Sequence, residues 1–443
     1  MPPGPRGLPI LGNVFHLTKE PWLTFTAWKD QYGPIMHVKA PGRPIIVIND
    51  GDVAEEILER NAAKTSGRGM SVLADIVTGG LMFGFRGIDA RFHRGRKAIR
   101  GWTRKGPGLS YRLRPIIYGE AVMLANNLLK FPNDWLSQTK RSTIATSLAM
   151  VYDKPPGETY ADEDATIARL LDYVSRIIGV AKPGGHLVDL IPWLIHVPSC
   201  LSPWKRRAEQ TFVQDSVMVK EWLEATRALE WWFMAMILYP DSQKRAQDEL
   251  ERVVGSQRLP TFDDYDQLPY IQAMVREALR WRPVAPLGVP HVSTEDLYYG
   301  DYFIPKQSLI MANTWAINHD PKIWGQGAHR FDPARHLDSS GTQIKAVAAG
   351  NKGEPHASFG FGRRICPGRY LADDLMFIFI SLILWAVNIN RGTNADGDAA
   401  PIDADGSLDE GVTVRPIPFS CTTSPRDPEA KIVLQAAKEA LGR

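Results

Sequence analysis

Residues 366–387 read CPGRYLADDLMFIFISLILWAV: a lone cysteine, a proline–glycine break, and then an apolar run. The run, Leu375–Val387, is 13 residues long and carries no charge. A helix that crosses a bilayer needs about 20 such residues. This one is therefore expected as a core helix, apolar all round because other elements surround it. Such a helix requires a large interior, and the chain has the means to build one: 443 residues, 44% hydrophobic and 23% charged, an ordinary globular balance. A formal net charge of +3 gives no support to nucleic-acid binding. The 3 cysteines, Cys200, Cys366 and Cys421, are odd in number and far apart. A disulfide framework is not expected, and a reducing compartment is.

No repeat, low-complexity block, signal peptide or dividing linker is visible. One unit spanning 1–443 is expected, mainly α with small β-sheets at one end (α+β). The opening MPPGPRGLPILGN, within residues 1–15, reads as a rigid lead-in. Helical spacing marks Pro21–Tyr32, Ala161–Val180 and Pro240–Val254. GPIMHVKAPGRPIIVIND (33–50) alternates around a β-branched run and predicts a hairpin. Short strands are expected at Leu297–Ile304 and Leu309–Met311, a loop at Asn394–Glu410, and extended chain at 414–421.

The cysteine sits in FGFGRRICPGR (359–369). A zinc site needs about four Cys or His ligands, and no neighbours supply them. A redox pair needs C-x-x-C, which is absent. A catalytic thiol needs an oriented histidine; His356 is in range, but nothing in the sequence orients it. An inert buried cysteine is the default for any lone thiol. The turn argues otherwise. Gly360, Gly362 and Gly368 are expected to free the backbone for positive φ and for close approach to a flat partner. Arg363, Arg364 and Arg369 favour a thiolate. Pro367 suits the first turn of the helix that follows, whose N-terminus favours an anion. A shielded thiolate with a single protein ligand fits a metal whose remaining ligands come from a cofactor; haem iron is the known case.

FGFGRRICPGR resembles the haem-binding signature of the cytochrome P-450 family, F-x-x-G-x-R-x-C-x-G, with Phe359, Gly362, Arg364, Cys366 and Gly368 at every fixed position. Upstream, Glu277 and Arg280 resemble the family's E-x-x-R motif, and FDPARHL (331–337) resembles its P-E-R-F segment with Ala334 and His336 departing. The resemblance implies a structural triad of Glu277, Arg280 and Arg335. TWAINHDPKIW (314–324) resembles the lead-in to that segment, and VAPLGVPH resembles the strand lining the substrate pocket, with His291 where a propionate partner is common. RFHRGRKAIRGW (91–102) resembles the W-x-x-x-R helix: Phe92 replaces Trp, Arg96 is the implied propionate partner, and Arg94 and Lys97 lie on a face expected to dock the electron donor. PPGPRGLPILGN is similar to the family's proline-rich hinge, and VRPIPFSCTTSPR to a terminal hairpin near the pocket. The texture of YDKPPGE, AMILYPDSQKRAQDELERVVG and FDDYDQLPYI is most similar to fungal microsomal members.

Two family features have no match. One is the hydrophobic anchor before the hinge. The other is the A/G-G-x-D/E-T motif of the central distal helix, whose acid and threonine deliver protons. EWLEATRALEWWFMAMILYPDSQKRAQ (221–247) lacks it, so the helix is expected to be shortened near 221–240, with Thr226 the nearest hydroxyl.

The resemblance implies a single cytochrome P-450 domain and a haem-thiolate monooxygenase with haem b (iron-protoporphyrin IX). It would insert one oxygen atom from O2 into a small apolar substrate, with electrons from NADPH through NADPH-cytochrome P-450 reductase. Cys366 is the implied axial thiolate and metal ligand; Arg364, Arg96 and His291 are the implied propionate partners. Secondary metabolism is the implied setting. The implied location is the cytosolic face of the endoplasmic reticulum membrane, with a full-length form touching the membrane surface. The alternatives are a haem-binding remnant, or a truncated gene product, lacking the distal relay, and a rearranging or peroxide-using enzyme that needs no relay.

Overall fold

A computed structural model describes residues 1–9, 11–16, 20–40, 43–68, 72–78, 86–103, 109–152, 188, 192–215, 223–347, 353–394 and 396–442. Ala161–Val180 lies outside them.

The apolar run forms the second half of the helix Arg369–Ala386, and every residue from Leu375 to Ala386 is buried. It packs against the helices Leu109–Lys130, Pro240–Val253, Pro269–Trp281 and Leu223–Leu238, which explains why no face of it is polar. The stretch 221–247 divides at Tyr239, because Pro240 lacks the N–H that a continuous helix would need and instead opens the next one. No described helix is long and apolar enough to cross a membrane.

The four-stranded sheet builds hydrophobic clusters apart from the main helical core. Ile35–Ala40 and Arg43–Ile48 pair antiparallel as the predicted hairpin. Arg43–Ile48 then pairs in parallel with Leu309–Ala312, whose other edge takes His291–Val292. Leu297–Tyr299 and Tyr302–Ile304 form a tight hairpin through Gly300 at φ +53°, a conformation that favours glycine. The proline-rich lead-in lies along the first strand: His37 N donates to Pro3 O at 2.8 Å and Asn13 N to Lys39 O at 2.7 Å. The expected loop at 394–410 contains a short strand, Ser407–Asp409, paired with Val414–Pro416. Val414 N donates to Val284 O at 2.8 Å, which sets this hairpin beside the apolar segment 284–289.

One buried carboxylate ties these parts together. Glu277 and Arg280 are three apart on the Pro269–Trp281 helix, and both are 0% exposed. Arg280 donates Nε to Glu277 Oε2 and Nη2 to Oε1, both at 2.7 Å, a bidentate geometry. Arg335 Nε and Asp332 N reach Oε1 at 3.0 and 2.8 Å. His336, standing where the family has Phe, places Nε2 3.0 Å from Oε2. Burial lowers the pKa of His336, so the neutral imidazole donates this bond as an N–H. Burial alone would raise the Glu277 pKa, but Arg280 and then His336 hold it down to about 2. Removing one partner of a buried pair leaves the other charge stranded. Glu277→Ala is therefore expected to lower folding stability by about 3–5 kcal/mol, and urea unfolding measures it; a loss below about 1 kcal/mol, the range of exposed pairs, contradicts the burial.

Candidate functional site

The turn that carries Cys366 is built by its glycines. Gly362 sits at φ +58°, and a Cβ there would lie 2.1 Å from Leu58 O, so no other residue fits. Gly360 is at φ +74°, with nothing within 4 Å of its missing Cβ among the described residues. Gly368 differs from expectation: its φ is −83° and it is the N-cap of the helix beginning at Arg369. Its missing side chain instead leaves space beside the sulfur, since a Cβ would stand 3.8 Å from Cys366 Sγ. Pro367 therefore precedes the helix rather than entering it. Cys366 N donates to Phe359 O at 2.8 Å, closing the turn on itself.

The three arginines of the turn take different partners. Arg363 is exposed. Arg369 donates Nη1 to the Cys366 carbonyl at 3.2 Å and pairs with Glu354 at 2.8 Å. Arg364 donates Nε to Ser66 O at 2.9 Å and Nη2 to Arg86 O at 2.8 Å, and stacks 4.1 Å over Phe92. The N-terminus of the helix that begins at Arg369 favours an anion beside it.

Phe92 and Arg96 are four apart on the helix Ala90–Thr103 and are both buried. Arg96 Nη2 donates to Ile365 O at 3.2 Å, joining this helix to the turn. Arg94 and Lys97, on the same helix, are exposed. His291 is buried, with Nδ1 2.9 Å from Thr65 O. The carbonyl can only accept, so Nδ1 carries the proton. Burial, then Arg68 and Arg364, hold the His291 pKa well below the usual imidazole range.

Arg68 is the member that the sequence did not disclose. Its Nη1 donates to Val289 O at 2.7 Å and Pro290 O at 2.8 Å. Burial and Arg364 lower its pKa. Arg364 is pushed down to about 10, by burial and then by Arg96. Arg68, Arg96 and Arg364 thus crowd positive charge around the neutral His291 in one partly dry region. Asp89, the acid that acts on Arg364, is taken by Arg86 and by the Phe92 N–H. Arg364 Nη1 is buried without a hydrogen-bond partner among the described residues. A dianionic ligand would satisfy this arrangement. Haem, with two carboxylates and a flat ring needing one axial ligand, fits the cationic cradle and the side-chain-free Gly368 beside the sulfur.

On the Leu223–Leu238 helix, Thr226 is buried and its hydroxyl hydrogen-bonds Thr143 at 2.6 Å. The next residue, Arg227, donates to Glu230 at 2.8 Å and to both oxygens of Glu410 at 2.9 and 2.7 Å. Arg415 also reaches Glu410, at 2.8 Å. Burial, opposed by Arg227, raises the Glu230 pKa. This network joins residues 183 apart in sequence, and no local spacing announced it.

The sequence profile of the cytochrome P450 family matches residues 2–214 and 225–391. The chain belongs to the cytochrome P450 family, and it is an enzyme of the monooxygenase class within it. It is 42% identical to a cytochrome P450 monooxygenase of Armillaria gallica, covering 100% of this chain and 94% of the relative. It is 35% identical to one of Postia placenta, over 96% of this chain and 89% of the relative. A zebrafish cytochrome P450 structure with abiraterone superposes with a TM-score of 0.70 at 23% identity, covering 92% of this chain and 100% of that one, and shows the fold. The Armillaria alignment runs 490 positions against the 443 residues here, so at least 47 positions (490 less 443) of the relative face no residue of this chain.

Three buried histidines and the half-buried His319 predict the acid response. Burial, then Arg280, pushes His319 down to about 3 from 6.5; burial, then His336, pushes His356 to about 3. His291 and His336 are lowered as well. The unfolded chain binds protons below about 6.5 that the folded chain refuses until about 3, so stability falls as pH falls through that window. Glu277, depressed from 4.5 to about 2, keeps its contribution above 4.5 and loses it only below. Unfolding free energies from urea titrations between pH 6.5 and 4.5 are expected to fall with acid, by about 1.4 kcal/mol per pH unit for each such histidine; a flat profile contradicts the neutral assignments.

Proposed function

We propose that this chain is a haem-thiolate monooxygenase that inserts one oxygen atom from O2 into a small apolar substrate. Electrons would come from NADPH through NADPH-cytochrome P-450 reductase. The observation that carries the reading is the Cys366 turn: one sulfur beside a side-chain-free surface, at a helix N-terminus, flanked by a cationic cradle.

The cofactor proposed is haem b, which when bound supplies the oxygen-activating chemistry. The chain's own residues hold and tune it. Cys366 would give the axial thiolate. Gly362 fixes the turn, Phe359 accepts the Cys366 N–H, and Gly368 keeps the sulfur's flank clear. Arg364, Arg96 and Arg68 would hold the propionates by charge-assisted hydrogen bonds. His291 has its Nδ1 proton committed to Thr65, so it would need a second proton at Nε2 to donate to a carboxylate, and a carboxylate there would raise its pKa. Val284–Val289 would form an apolar pocket wall. Arg94 and Lys97 would face the electron donor. Glu277, Arg280 and Arg335 would act structurally. By family, the enzyme would work at the cytosolic face of the endoplasmic reticulum membrane, in secondary metabolism, as one domain led by the hinge at 1–15.

A second reading has its own support: a haem-binding remnant, or a truncated gene product, without the distal proton relay. The family match breaks between 214 and 225, and Thr226 is tied to Thr143 rather than open to a ligand. A relay contributes roughly 10²–10⁴-fold, so its loss would leave NADPH oxidation uncoupled from product.

The test has two parts. The ferrous carbon-monoxide complex is expected to absorb at the long-wavelength thiolate position and to lose that band in Cys366→Ala; a band that survives removes the ligand assignment. NADPH consumption across a panel of apolar compounds is expected to yield oxygenated product, whereas peroxide alone favours the remnant.

A further inference from the structure

We propose that Asn318 is a positioning residue for Cys366, coupling the buried Glu277–Arg280 pair to the start of the cysteine turn. The proposal rests on the reading of Cys366 as the axial ligand. Asn318 ends the short helix Thr314–Asn318 and is 0% exposed. Its Oδ1 accepts the Ala357 N–H at 2.8 Å, and its Nδ2 donates to Ser358 Oγ at 2.9 Å and to Arg280 O at 3.2 Å. Its own carbonyl accepts Arg280 Nη1 at 2.7 Å. Ser358 Oγ donates onward to Leu279 O at 2.6 Å.

These contacts require an amide. One end must accept from a backbone N–H while the other donates twice, and no other side chain of this size offers both. The position also has leverage. Ala357 O accepts Gly360 N at 2.9 Å, and Phe359 O accepts Cys366 N at 2.8 Å. A displacement at 357 therefore reaches the cysteine through the single helical turn Ala357–Phe359 and one further hydrogen bond. Arg280, fixed by the Glu277 carboxylate, anchors the other side of Asn318. The buried ion pair thereby bears on where the sulfur sits as well as on stability.

The experiment uses the full chain produced with haem. Asn318→Ala, Ser358→Ala and a core-cavity control, Leu250→Ala on the Pro240–Val253 helix, are compared by the ferrous carbon-monoxide spectrum and by amide exchange at Ala357 and Cys366. Asn318→Ala is expected to lower the ratio of thiolate-type to other absorbance about tenfold, the scale of one buried hydrogen bond, and to speed exchange at both amides. Ser358→Ala, which keeps the bond from Ala357, gives a smaller fall and serves as the reading where Asn318→Ala does not accumulate. Leu250→Ala lowers the melting temperature and leaves the ratio unchanged. An unaltered ratio in the Asn318 and Ser358 variants overturns the proposal, as does an equal fall in Leu250→Ala. Absence of the thiolate band from the unmodified protein removes the Cys366 assignment and this proposal with it.

Discussion

A carboxylate with no exposure to water must be fully served by donors, and Glu277 is. Five hydrogen bonds from four residues converge on its two oxygens. Three of those residues, Asp332, Arg335 and His336, lie in the segment after the Pro269–Trp281 helix, and the fourth, Arg280, extends to the carbonyls of Asn318, Ala328 and Arg330. The desolvation cost of such an ion is several kcal/mol unless every lone pair is satisfied. The chain between 318 and 336 is therefore held in one arrangement, and the turn at 357–366 is built against it. The choice of His at 336 adds a neutral donor where an aromatic ring would only pack.

The second constraint is electrostatic. Among the described residues, three guanidinium groups and an imidazole meet where Ser66, Val289, Ile365 and Arg86 offer carbonyl oxygens. Carbonyl dipoles orient arginines but do not neutralise them. Burial, and then the crowding by Arg96, depress the Arg364 pKa to about 10. A dianion delivered with the haem would relieve it, so loading should stabilise the fold through linkage.

Much of this was legible in the sequence, for a physical reason: the cysteine turn and the E-x-x-R pair place their groups at short, fixed spacings. Gly362 is required by a clash with Leu58 that only glycine avoids, and its position in the motif was readable. The apolar run of 375–386 declared a core helix because nothing else can bury every face. Arg68 was not legible, since a single arginine in KTSGRGM carries no spacing signal and its partners lie beyond residue 288. The same holds for Arg227 with Glu410, and for Asn318, whose three side-chain bonds reach from 280 to 358. Gly368 was misjudged because an N-cap and a left-handed turn both admit glycine, and spacing does not separate them.

Position 214–225, where the family match is interrupted, leaves the distal half of the site to be judged by activity, whereas the proximal half stands on one bond. X-ray absorption at the iron edge of the haem-loaded protein measures that bond directly. The account predicts a single sulfur neighbour beyond the four ring nitrogens, absent in a variant lacking the Cys366 thiol. A first shell of nitrogen and oxygen alone, in the unmodified protein, would contradict it.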